Sequence, residues 1–364
     1  MPLERWSAER TAARLRAPGP ADDKYRRGVL GVRTGSADYP GAAVLGVTAA
    51  WRAGIGMLRY VPPTEGSGGA PSASDAPPRG AGLPDPAAAV LAVRPETVFG
   101  EPAGRPCDAW LIGSGTDPAS RSAAETAALR ELLRGDAPVV VDAGALGLAT
   151  EAAGARGGEG SLPPGPAAPM ILTPHRGEFE RLWEACGLGG LPVGWPRRED
   201  PAAADAEVLA EGASRLAARL GATVLLKGST TIAAAPTGDA AAVGPATPWL
   251  ATAGTGDVLA GALGALVACD AEAVRRDPSL LRDLGAAAAQ LHDAAARIAS
   301  GDCGSSDYGA DACGAGCGDS AGGGAGFGGA AEAANRGRPI TALDVAEALP
   351  LAFARLSASG ARTG

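Results

Sequence analysis

Short apolar runs, spaced along the chain and alternating with Ala/Leu/Arg-rich stretches of helical period, constrain this sequence more than any other feature. The runs are Val29–Val32, Ala109–Ile112, Val139–Val141, Met170–Leu172, Thr223–Leu226 and Thr231–Ala234. Unbroken runs of this kind fit strands buried on both faces, as in a parallel sheet. The helical stretches are Ala42–Ala53, Ser120–Leu133, Phe179–Cys186, Asp205–Leu220, Asp257–Cys269 and Ala286–Ala299, with Ala342–Leu356 as a closing helix. Strands alternating with helices predict an α/β fold with a doubly wound, mostly parallel sheet flanked by helices. Ligands of such sheets bind outside the carboxyl ends of the strands, so the loops there are where function is sought.

Composition excludes several classes. At 364 residues with 46% apolar and 20% charged residues, the chain can bury a large core. A net charge of −8 and only 4% aromatics oppose binding to nucleic-acid backbones or stacked bases. No segment is apolar for long enough to span a membrane, and Met1–Asp23 mixes Arg with Glu and has no apolar signal core. No membrane partner and a cytoplasmic address are therefore expected. Cys107, Cys186 and Cys269 stand singly, whereas Cys303, Cys313 and Cys317 share a Gly-rich tract without a nearby His, a poor zinc site. The 55 glycines and 30 prolines are unevenly spread. They mark expected inserts at 62–86, 154–169, 188–201 and 301–338, within one domain over 20–357 that follows an N-terminal extension, 1–19.

Absent motifs narrow the chemistry. Neither Lys24 nor Lys227 follows a glycine, so there is no Walker A loop. Gly113-Ser114-Gly115 and Gly54-Ile55-Gly56 lack the third glycine of a dinucleotide fingerprint, and His175 and His292 are the only histidines. What remains is Gly254-Thr255-Gly256-Asp257 immediately before an apolar helix. Its glycines let backbone N–H groups approach a ligand, and the helix adds its dipole, together an anion hole for a phosphoryl group. The same fragment also reads as an ordinary capping aspartate after a loop. Lys227-Gly228-Ser229-Thr230-Thr231, at a strand end, offers a cation and hydroxyls to a nucleotide, or is a polar hairpin turn. His175, where a strand gives way to a helix, lies at a ligand-binding edge or is a surface loop residue. His292 reads as a core or helix-surface histidine. Asp142-Ala143-Gly144 and Gly113-Ser114-Gly115 end two further strands, and these loops converge on one sheet edge.

In this order the motifs resemble the ADP-dependent NAD(P)H-hydrate dehydratase family, of ribokinase-like fold. The resemblance is carried by Lys24-Tyr25 with Gly28-Val29-Leu30, Thr34-Gly35-Ser36, Tyr39-Pro40-Gly41-Ala42-Ala43, Arg52-Ala53-Gly54-Ile55-Gly56-Met57 and Gly113-Ser114-Gly115. It continues through Asp142-Ala143-Gly144-Ala145-Leu146, Thr173-Pro174-His175-Arg176-Gly177-Glu178, Lys227-Gly228-Ser229 and Ala253-Gly254-Thr255-Gly256-Asp257. Gly144 departs from an aspartate often found there, and Arg33-Thr34-Gly35 replaces a more glycine-rich turn.

The resemblance implies dehydration of the S epimer of the hydrated cofactors NADHX and NADPHX to NADH and NADPH at the expense of ADP, or of ATP. The hydroxyl on the nicotinamide ring is phosphorylated, and the ring nitrogen then expels phosphate. It implies Asp257 as the base, with Gly254, Thr255 and Gly256 stabilising the migrating phosphoryl group. Ala42, Gly115, His175 and Asp257 would bind the hydrate; Lys227, Gly228, Ser229, Thr230, Thr231 and Gly256 would bind the nucleotide. Magnesium is expected from phosphoryl chemistry, with no ligands evident in the sequence. A homo-oligomer, tetrameric by the same resemblance, and a separately encoded epimerase complete the expectation. Two other readings use the same residues: a ribokinase-like kinase that keeps its phosphorylated product, such as a vitamin-precursor kinase, and a non-catalytic nucleotide binder.

Overall fold

The computed structural model describes residues 3–64, 82–157, 168–196, 205–302 and 337–360. Most of the tracts 62–86, 154–169 and 301–338, and the end of 188–201, lie outside these residues, as do Cys303, Cys313 and Cys317. The strands are β1 (Glu4–Arg5), β2 (Val29–Arg33), β3 (Met57–Tyr60), β4 (Val98–Phe99), β5 (Ala109–Ile112), β6 (Val139–Val141), β7 (Met170–Leu172), β8 (Thr223–Leu226), β9 (Thr231–Ala234) and β10 (Ala240–Val243). The helices are α1 (Ala8–Ala12), α2 (Pro40–Arg52), α3 (Pro86–Val93), α4 (Ala123–Arg134), α5 (Leu146–Gly157), α6 (Arg176–Ala185), α7 (Ala206–Leu220), α8 (Thr255–Cys269), α9 (Ala271–Arg276), α10 (Leu280–Ser300) and, as α11, Ala342–Gly360.

One ten-stranded sheet runs β1-β10-β9-β8-β7-β6-β5-β2-β3-β4. Every neighbouring pair is parallel except the two that involve β9. The order reverses between β2 and β5, and that switch point opens a crevice at the carboxyl edge. Successive strand residues face opposite layers. Leu30, Val32, Leu111, Val140 and Ile171 join α2, α8, α10 and α11 in one core. Val29, Ile112, Val139, Val141 and Leu172 join α4, α5, α6 and α7 in the other. This is the doubly wound, mostly parallel sheet that the alternation predicts.

Two segments are more firmly built in than their composition suggests. Residues 4–15, expected as an extension, add β1 to the sheet beside β10 and bury Trp6 and Leu15 against the α10 layer. Trp6 gives its indole N–H to the Thr11 hydroxyl at 2.8 Å, and Thr11 donates in turn to Gln290 of α10. Within 188–201, Trp195 stacks on Phe179 with centroids 4.9 Å apart. A few aromatic contacts outweigh the local glycine content in both places.

Candidate active site

Four strand ends and two helix starts meet at the carboxyl edge. The residue after β6, Asp142, is buried and is the hub. Its carboxylate accepts from the Ser114 hydroxyl after β5 at 2.8 Å, from the Thr173 hydroxyl after β7 at 2.6 Å, and from Lys227 Nζ after β8 at 3.0 Å. Burial works against its charge, but Lys227 and the two hydroxyls hold the carboxyl below the usual carboxylate range. Burial likewise opposes the Lys227 charge, and Asp142, with Glu178 and Asp257 farther off, keeps the ammonium protonated above its ordinary value. The pair is thus a fixed charge at the end of the central strands.

Lys227 bridges the two halves of the expected site. Its backbone amide donates to the Pro174 carbonyl at 2.9 Å and pairs it with His175. A Cβ placed on Gly256 would lie 3.6 Å from its Nζ, so the ammonium sits against the first turn of α8. That turn is open. Gly254 takes the left-handed conformation at φ +88° and no side chain caps the helix. Thr255 is spent on holding the loop: its amide reaches the Thr252 carbonyl at 3.3 Å, and its hydroxyl donates to the Leu250 and Thr252 carbonyls at 2.9 Å. The next two amides, of Gly256 and Asp257, have no hydrogen-bond acceptor among the described residues. They are the ones a ligand anion can meet.

Asp257 is half-buried in that first turn. Burial, with the charge of Asp142 adding to it and Lys227 opposing, pushes its carboxyl up to about 7. An ordinary carboxylate is a poor base at neutral pH, whereas one titrating near 7 is matched to proton transfer.

A cavity of about 690 Å³, large enough for a nucleotide, opens along the Lys227–Thr230 loop. His175, Arg176, Lys227, Gly228, Ser229 and Thr230 are among the residues that line it. Thr231 begins β9 instead, and its hydroxyl donates to the Gly228 carbonyl at 3.2 Å, closing the turn. His175 caps α6: its Nδ1 accepts the Gly177 amide at 3.0 Å and the Glu178 amide at 3.4 Å, and the Glu178 carboxylate takes the His175 amide at 2.8 Å. The His175 Nε2 lies 3.6 Å from the Glu178 carboxylate. Ala42 and Gly115 meet elsewhere, at the switch point. Gly115 has φ +65°, and a Cβ there would lie 2.3 Å from that of Ala42. Gly35 and Ser36 line a recess beside them with Gly113, Thr116 and Arg121.

Asp142, Ser114 and Thr173, and Arg176 and Arg181 in the cavity wall, are not among the residues expected to bind or catalyse. Their one signal was their place at strand ends and in the following helix. Gly144 has a local reason: a Cβ would lie 2.1 Å from the Thr116 carbonyl oxygen. Among the described residues no three His, Cys, Asp or Glu side chains converge as a metal cage. Nor is any helix among them long and apolar enough to cross a membrane.

Comparison with known proteins bears on this arrangement. The bifunctional NAD(P)H-hydrate repair enzyme Nnr of Mycobacterium tuberculosis is 40% identical over 269 residues, 72% of this chain but 46% of its own length. The chain thus spans about half the length of such relatives. The ADP-dependent (S)-NAD(P)H-hydrate dehydratase of Xanthomonas campestris is 35% identical over 276 residues, covering 72% of this chain and 81% of that protein. In fold, the chain is similar to the ADP/ATP-dependent NAD(P)H-hydrate dehydratase of Bacillus subtilis co-crystallised with ATP and Mg2+, at a TM-score of 0.62 and 24% identity over 98% of this chain and 99% of that one. The sequence profile of NAD(P)H-hydrate dehydratases matches residues 30–313, a span that holds every strand-end loop described above. With that match and these relatives, the chain belongs to the NAD(P)H-hydrate dehydratase family.

Proposed function

We propose that this chain dehydrates (S)-NADHX and (S)-NADPHX to NADH and NADPH, using ADP or ATP to phosphorylate the ring hydroxyl. The observation that carries this reading is Asp257, with its carboxyl near 7, in an uncapped helix turn against the Lys227 ammonium. Asp257 takes the hydroxyl proton as the oxygen attacks the terminal phosphorus, and the nucleotide leaves one phosphate shorter. Phosphoryl transfer through a loose transition state needs positioning and charge compensation more than a strong base. The Gly256 and Asp257 amides and Lys227 supply that compensation, and loss of one such donor typically costs about 100- to 1000-fold in turnover. The ring nitrogen lone pair then forms the C=N bond as the C–O bond breaks. Phosphate departs with those electrons, and loss of a ring proton restores the reduced nicotinamide.

The 690 Å³ cavity beside the 227–230 loop suits the nucleotide, and the hydrate is assigned to the crevice at the switch point, where Ala42 and Gly115 touch. His175 lines the nucleotide cavity, so its contact with the hydrate would be through Nε2 at the boundary. Magnesium has no protein cage among the described residues. Such an ion ordinarily rides on phosphates and waters, and no step here is routed through it. A preference for one epimer calls for an epimerase activity to feed the other form in.

The test is an absorbance assay at the reduced-nicotinamide band on purified hydrate, with ADP and ATP in separate cuvettes. NADH appearing with equimolar phosphate is expected. Accumulation of a phosphorylated compound without NADH would support a product-keeping kinase, and no reaction with either nucleotide would overturn both.

A further inference from the structure

We propose that Asp293 is a positioning residue: from α10 it holds the segment 244–250, which ties the nucleotide loop at 227–231 to the open turn of α8. This rests on the reading of those two features as the nucleotide and phosphoryl sites. Residues 244–250 run from the end of β10 through a single 3-10 turn, Pro248–Leu250, toward Gly254. At the near end the Ala246 amide donates to the Ser229 carbonyl at 2.8 Å. A Cβ on Gly244 would lie 2.6 Å from that same oxygen, so the segment rests directly on the loop. At the far end the Leu250 carbonyl accepts the hydroxyl of Thr255, the residue just before the open amides. Whatever moves 244–250 therefore moves both halves of the site.

Thr247 lies midway along the segment and is buried, as are Asp293 and Asp302. Its amide donates to Asp293 Oδ1 at 2.7 Å, and its hydroxyl donates to Asp302 Oδ2 at 2.5 Å. Arg297, one turn beyond Asp293 on α10, completes the clamp. Its Nε donates to Asp293 Oδ2 at 2.9 Å, and its Nη2 donates to the Pro245 carbonyl at 2.9 Å. Both oxygens of Asp293 are thus engaged, one by the segment's backbone and one by the arginine that grips the same segment.

A buried ion pair is costly to desolvate, and an apolar pair of similar size often serves stability as well. What the charged pair adds is direction. An acceptor that takes a backbone N–H fixes where the chain passes, and a bond to a charged group is stronger than one between neutral groups. The segment needs that fix, because Gly244, at φ +134°, gives its start little conformational restraint of its own. Leu284, Ala287, Leu291 and Ala295 seat α10 in the core, which makes it a rigid base for the hold. At 2% exposure Asp293 acts on a nucleotide through Thr247 and Ser229, not by contact.

The test titrates ADP, and separately ATP, into the full chain by calorimetry. It compares Asp293→Ala, which removes both bonds, with Asp293→Asn, whose amide oxygen can still accept from Thr247. Asp293→Ala should weaken nucleotide binding at least about tenfold, the scale of one hydrogen bond to a charged group, and leave KM for the hydrate unchanged. Asp293→Asn should recover most of the affinity. Leu284→Ala, which hollows the core earlier on the same helix, is the control: it should lower Tm and keep the wild-type nucleotide affinity. Wild-type affinity in a folded Asp293→Ala protein would overturn the proposal. So would an Asn variant no better than the Ala variant, an equal rise in KM for hydrate and nucleotide, or the same loss of affinity in Leu284→Ala. If Asp293→Ala does not fold, Asp293→Leu, which fills the space, is compared with Asp293→Asn by the same criteria. A wild type that binds nucleotide but leaves the hydrate unreacted would sink the proposed function alone, and the affinity ratio would still decide the role of Asp293. One that binds neither nucleotide would overturn both.

Discussion

Asp257 shows how one side chain can be costly to the fold and useful to the chemistry. Burial raises its pKa from 3.8 to about 7, so the folded protein holds a proton that the unfolded chain releases. Below the unfolded value both states are protonated and nothing is lost. As pH rises between the two values stability falls, and above about 7 the loss is constant. Asp257→Asn removes the charge, so the variant should gain in Tm over the wild type at pH 8 relative to pH 4. A gap that does not widen with pH would show that the carboxyl is not held protonated. The same substitution should lower turnover about 100- to 10,000-fold, as loss of a general base does, while nucleotide binding by calorimetry persists. For the wild type, kcat/KM should climb with pH along a limb near 7 as the base form appears.

At the scale of elements, the site depends on how closely α8 lies against α2. A Cβ on Gly261 would sit 2.2 Å from the Gly46 carbonyl oxygen and 2.9 Å from its Cα, so the two backbones touch. Gly261→Ala should push α8 away, costing about 1–3 kcal/mol in chemical denaturation and lowering turnover through the displaced first turn. Gly147→Ala is the contrast: it lies in α5 with nothing within 4 Å of a new Cβ and should leave activity unchanged while gaining up to about 1 kcal/mol. The same contrast between backbone contact and side-chain pattern explains what could be read from the sequence. β6 is three valines buried on both faces, so it was legible with its ends. β10 is Ala240–Val243, an alanine-rich segment with no strand signature, and β1 and β4 are two residues each. They exist because a sheet edge was there to pair with. At the site, the Gly254–Asp257 turn is contiguous and stood out. The Asp142–Lys227 pair joins residues from different strand ends, and only the sheet order brings them together.

On the scale of the whole molecule, the β/α body closes on itself between residues 302 and 337. A Cβ on Gly337 would lie 3.0 Å from that of Asp302, and the Arg338 amide donates to the Ser300 carbonyl at 2.8 Å. Asp302 is fastened on the near side, accepting from the Thr247 hydroxyl at 2.5 Å and pairing with Arg297 at 3.7 Å. On the far side, Ile340 and Ala342 enter the core and start α11. The two ends of the 303–336 tract are thus held together by the body, whatever lies between them. Replacing 303–336 by a few glycines, with Asp302 and Gly337 kept, asks only that the new link span a gap already closed. Loop-closure entropy falls by about 0.6 kcal/mol for each halving of length, so Tm should hold or rise slightly. Turnover should stay near that of the full chain, because the described body alone supplies the partners of Asp142 and Lys227 and the open turn that carries Asp257. A fall in Tm would mean that the tract packs on the body. A fall in turnover at unchanged Tm would mean that it reaches the crevice and belongs to the active site.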